Sequence, residues 1–106
     1  MTAQEYVESI WVEAKLVEEN LYEPPAYQIH VITGKGSSRC LVSKCNSERA
    51  WESAKKLTQY FLDQIKELEE DIGFLDDLPE NYKGRRWVRL ADKCEEEIRN
   101  IRRGMK

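Results

Sequence analysis

Histidine and cysteine are scarce in this 106-residue chain, which holds His30 alone of the first and Cys40, Cys45 and Cys94 of the second. With one imidazole, metal sites built on histidine pairs are excluded. An odd cysteine count argues against a disulfide framework. Met1 to Tyr6 contain neither a basic stretch nor an apolar run, so no secretory signal is expected. Reduced thiols in a cytoplasmic setting follow. Five glycines and three prolines are too few for a collagen-like or linker-like chain. No apolar run approaches the ~20 residues that span a bilayer, so no membrane association is expected. No repeat of fixed period and no low-complexity segment occurs.

Charge is what the chain has in quantity. Charged residues make up 35% and apolar residues 41%, with a net charge of −3. That balance suits one small domain over residues 1–106 with an ionic surface. It disfavours indiscriminate binding to nucleic acid or anionic lipid. The distribution is uneven. Residues 83–106 carry nine basic and four acidic side chains, whereas residues 1–82 carry eight and sixteen. Local neutralisation between the acidic stretch Glu67 to Glu80 and Lys83, Arg85, Arg86 and Arg89 is the cheapest account of that asymmetry.

Apolar spacing predicts the elements. Tyr6, Val7, Ile10, Trp11, Ala14, Val17 and Leu21 recur at a helical period, and Thr2 with Glu5 fits a capping box, so residues 3–21 read as helix. Residues 10–16 also alternate like a half-buried strand, which leaves a helix-then-strand split as the alternative. Glu23-Pro24-Pro25 ends this element. Tyr27 to Thr33 and Arg39 to Cys45, rich in β-branched and aromatic residues about the loop Gly34 to Ser38, predict an antiparallel hairpin.

Asn46 or Ser47 can cap a helix running to about Ile72, with Gly73 as its stop. Within it Trp51, Ala54, Thr58, Phe61, Ile65, Leu68 and Ile72 alternate steps of three and four. Ala50, Leu57 and Leu62 widen that seam into a core-facing stripe. Trp87, Ala91, Cys94, Ile98, Ile101 and Met105 form a second seam, so two antiparallel helices are expected. A competing reading has Arg86 to Leu90 extended before a shorter helix. The expected fold is α+β in the order α-β-β-α-α, a short antiparallel β-hairpin packed on a long antiparallel helix pair.

Four constellations could carry chemistry. Gly34-Lys35-Gly36-Ser37 invites a phosphate-loop reading, but the Walker spacing is absent and a strand follows; a hairpin turn accounts for it. His30, Cys40, Cys45 and Cys94 lack the paired close spacing of structural zinc sites, and Cys94 falls on a seam, so no metal is expected. No nucleophile, base and orienting group are grouped, so no catalytic residue, cofactor or enzymatic activity is expected.

The positive signal is the basic C-terminal helix. Arg85, Arg86, Arg89, Arg99, Arg102 and Arg103, with Lys93 and Lys106, could dock on an acidic protein or track a phosphate backbone. A solvated face interrupted by Glu95, Glu96 and Glu97 is the plainer account. The expectation is therefore a non-enzymatic protein-binding module acting through zoned acidic and basic helical surfaces. The alternatives are a nucleic-acid-binding accessory protein using the basic helix, and a small acidic inhibitor of the phage counter-defence type that imitates nucleic acid. A homodimer is a further partner option, through the uncovered side of the long helix or an open strand edge.

Overall fold

The computed structural model describes residues 1–20, 25–77 and 84–106, and only the backbone of 85–87. The expected break at Glu23-Pro24 and the connector residues Leu78 to Lys83 lie outside the described residues. The elements are α1 (Ala3–Ile10), β1 (Lys15–Glu19), β2 (Ala26–Gly34), β3 (Ser37–Lys44), α2 (Ser47–Asp76) and α3 (Arg85–Arg102). The class is α+β. The order is α-β-β-β-α-α, because the expected first helix is divided and the hairpin becomes an antiparallel sheet in the order β1-β2-β3. By contact density the chain forms two compact units: Met1–Gln59 with Gly104–Lys106, and Tyr60–Arg103.

The division of residues 3–21 has a local cause. Helix α1 starts as expected, with the Glu5 amide donating to Thr2 Oγ1 at 3.1 Å. It stops at Trp11, whose backbone is extended (φ −101°, ψ 147°), and Glu13 takes φ 47°. A non-glycine residue there is uncommon. Tertiary hydrogen bonds hold the turn: Val12 donates to the Gly104 carbonyl at 2.6 Å, and Ile32 donates to the Val12 carbonyl at 3.0 Å. Lys15–Glu19 then pairs with β2, from Lys15 opposite His30 to Glu19 opposite Ala26. The strand alternative for residues 10–17 is therefore the observed one beyond the turn.

The β2–β3 hairpin matches expectation but is tighter. Gly34 already pairs with Ser37, leaving Lys35-Gly36 as the turn, with Gly36 at φ 73°. Ile29 and Val31 are fully buried on one face of β2. They join Val7, Trp11, Ala50, Trp51, Ala54 and Thr58 as the buried set of the first unit. At its centre the Trp11 indole Nε1 donates to Thr58 Oγ1 at 2.8 Å, and that hydroxyl donates to the Ala54 carbonyl at 2.6 Å. The Arg39 guanidinium lies 5.7 Å from the Trp11 ring centre, at cation–π range.

Asn46 caps α2, its Oδ1 accepting from the Arg49 amide at 2.8 Å. Gly73 does not stop this helix, which runs through to Asp76. Nothing stands within 4 Å of a Cβ built at Gly73, and its φ is not left-handed, so the helix crosses it. All seven seam positions from Trp51 to Ile72 are buried or half-buried. In the second unit Ile65 and Ile98 are buried, and Arg102 of α3 donates to Glu69 of α2 at 2.8 Å. That contact joins the last turn of α3 to the second half of α2.

Residues 85–90 are helical rather than extended. Met105, expected as the last seam position of that helix, lies beyond it in a β-bridge with Trp11. Gly104, at φ 89°, turns the chain away: its Cβ would stand 2.7 Å from Val31 Cγ2. Lys106 closes the arrangement, its amide donating to the Ile10 carbonyl at 2.7 Å and its Nζ to the Glu8 carbonyl at 2.8 Å.

Candidate functional site

Helical spacing sorts the surface of the second unit into stripes. On α2, opposite the seam Phe61–Ile65–Leu68–Ile72, the residues Tyr60, Asp63, Glu67, Glu70 and Phe74 follow one another at steps of three and four. All five are exposed, Tyr60 by 57% and Phe74 by 66%. On α3 the equivalent outer stripe is Arg89, Asp92, Glu96, Arg99 and Arg103, also all exposed. The α2 stripe is therefore acidic between two aromatic rings, and the α3 stripe mixes both signs.

Among the described residues the predicted basic positions do not all share one stripe. Arg89 and Arg99 share the outer stripe with two carboxylates. Arg103 is the residue that caps α3, not part of it. Arg102 is engaged with Glu69, both side chains about half exposed (53% and 54%), where screening limits such a pair to a few tenths of a kcal/mol, about 1 at most. Arg85 and Arg86 open α3, and their side chains lie outside the described residues. Lys93 is exposed beside this stripe, and Lys106 belongs to the first unit.

The grouping nearest to a catalytic set lies on the sheet. Gln28 Nε2 donates to Glu19 Oε2 at 2.6 Å, and His30 Nε2 is 2.8 Å from Gln28 Oε1. With Oε1 as acceptor, the imidazole carries its proton on Nε2. Cys40 is the cross-strand neighbour of His30, but its thiol donates to the Val42 carbonyl at 3.4 Å instead. Partial burial pushes the Cys40 thiol up from its usual range, with Glu19 adding to the rise and the Val42 contact opposing it. A thiol held protonated is a weak nucleophile, so the relay orients His30 without activating Cys40. Sequence reading passed over Gln28, although its spacing of two from His30 on a strand places both on one face.

Cys45 lies beyond the end of β3, where Arg49 Nη1 stands 3.8 Å from its sulfur. Cys94 is half-buried on the α3 seam. Burial raises its thiol pKa, and the Asp71 and Glu97 carboxylates raise it further. Among the described residues no three His, Cys, Asp or Glu side chains are grouped to hold a metal ion. An open cleft of about 450 Å³ lies in the first unit between the chain start and α2, lined by Glu48, Trp51, Glu52 and Lys55 with Met1 to Gln4. Its lining offers two carboxylates and an amine but neither thiol nor imidazole. No helix among the described residues is long and apolar enough to cross a membrane.

Compared with known families, curated proteins and solved structures, the chain matches no family model, no curated protein and no solved structure. The reading of function therefore rests on the geometry alone.

Proposed function

We propose that this protein is a non-enzymatic binding module that holds a protein partner on its second, helical unit. One observation carries the reading. Among the described residues of Tyr60–Arg103 only Ile65 and Ile98 are buried apolar side chains, whereas Tyr60, Leu62, Phe74, Val88 and Leu90 are exposed. Five of the eight exposed large apolar side chains among the described residues thus fall in the unit with fewer buried ones. Isolated exposed apolar residues are ordinary; their concentration on one unit is what supports reading that unit as the one that associates. The mixed signs on the outer stripe of α3 favour a protein over a phosphate backbone, which rewards uninterrupted positive charge.

The test is capture of partners by the tagged full chain, with and without nuclease, followed by hydrogen exchange on the recovered complex. The expected result is a protein partner that survives nuclease and protects residues 60–103. Partners lost with nuclease, or protection confined to residues 1–59, would overturn the reading.

A further inference from the structure

The free edge of the sheet offers a second interface, on the first unit and apart from the helical surface proposed above. β1 ends the strand order, so one side of Lys15–Glu19 pairs with β2 and the other has no strand among the described residues. Alternate residues of such a strand turn their amide and carbonyl outward. Among the described residues, no other element bonds to the backbone of this strand. The C-terminal residues cover only the segment ahead of β1, where Gly104 and Lys106 bond to Val12 and Ile10. Leu16 and Val17 add apolar surface to the bare edge, at 36% and 43% exposure. An edge of this kind is a template for another strand.

From this we infer that β1 pairs with β1 of a second copy, antiparallel about a two-fold axis at Val17. Charge selects both the occupant and the register. A two-fold normal to the sheet keeps the outer faces together, so residues of one face must oppose one another. Centred on Val17, that pairing sets Lys15 opposite Glu19 of the second copy, twice over, with the two Val17 side chains between them. Centring on Leu16 leaves Lys15 against Val17 instead, and centring on Glu18 sets two carboxylates together. Lys15 forms no ion pair among the described residues. Glu19 is held on this face by Gln28, whose Nε2 donates to its Oε2 at 2.6 Å. The opposite edge, β3, carries Arg39 and Lys44 but no carboxylate, so no self-pairing there matches charge. Pairing through β1 joins two three-stranded sheets into one.

The test is sedimentation equilibrium of the full chain under reducing conditions, from micromolar to millimolar concentration, with hydrogen exchange at both ends of that range. Expected is a reversible dimer of twice the 12.5 kDa chain mass, whose β1 amides gain protection as it forms. Lys15→Glu and Glu19→Lys, each checked for folding by circular dichroism, set like charges opposite one another. Each should weaken self-association about tenfold. Mixed in equal amounts, the two variants should recover a dimer, because each offers the other opposite charges at both positions. A chain monomeric throughout, single variants that self-associate like wild type, or a mixture that stays monomeric would each overturn the edge pairing. So would assemblies that grow beyond the dimer, since pairing of β1 with β3 is head-to-tail and does not close at two copies. Protection of the wild-type dimer away from β1 overturns it without recourse to variants.

Discussion

At the scale of single residues, the contacts that organise the first unit are few and polar in part. Thr58 accepts from the Trp11 indole in a buried setting. Thr58→Val keeps the shape but leaves the N–H without that acceptor, and should cost about 1–3 kcal/mol in urea unfolding. Gly104 has two reasons to be glycine: φ 89° and a Cβ position 2.7 Å from Val31. Gly104→Ala should destabilise by about 1–3 kcal/mol and loosen the Trp11–Met105 bridge, seen as a lower melting temperature and faster exchange at Val12. The two raised thiols give a pH prediction. Cys40 and Cys94 are protonated to higher pH in the folded chain than their usual value of 9.0. Ionisation therefore favours the unfolded state, so the stability they contribute is complete below 9.0 and is lost as pH rises through the folded values. Alkylation of both at neutral pH should be slow in buffer and rise on denaturation; equal rates in both states would contradict it.

Among the elements, α2 combines a legible seam with one misread punctuation mark. Gly73 resembles a helix stop in sequence, but it sits exposed within the last turn of α2, with open space where a Cβ would stand. Gly73→Ala should therefore stabilise by about 0.5–1 kcal/mol, measured as a rise in melting temperature without change in helix content. The seams themselves were readable because apolar steps of three and four leave a core-facing stripe whatever the partner. The strand β1 was not readable as one outcome. Its residues, Lys15 to Glu19, satisfy both periods, and four of the five are exposed. Pairing with β2 decides between them, since the edge of a sheet offers hydrogen-bond partners that an isolated segment does not possess.

For the whole molecule, the unequal cores of the two units set the order of opening. The first unit has eight buried side chains from Val7 to Thr58, the second only Ile65 and Ile98 among the described residues. Hydrogen exchange at the helical amides of 60–103 should precede that of β2 and the first half of α2, because local opening is easiest where little apolar surface is buried. Simultaneous exchange across both units would count against this.

What the sequence determined by itself was the class, the hairpin, the two seams, and the absence of a membrane-length apolar run. Each is a local matter of side-chain period, β-branching and turn residues. What only the tertiary structure decided was where α1 ends, that Met105 leaves the α3 seam for a bridge with Trp11, and how the arginines are divided. These depend on partners distant in the chain: Gly104 for Val12, Trp11 for Met105 and Glu69 for Arg102. The outer stripe of α2 lies between these cases. Its spacing is written in the sequence, but the exposure of Tyr60 and Phe74 required knowing which face of the helix the core had taken.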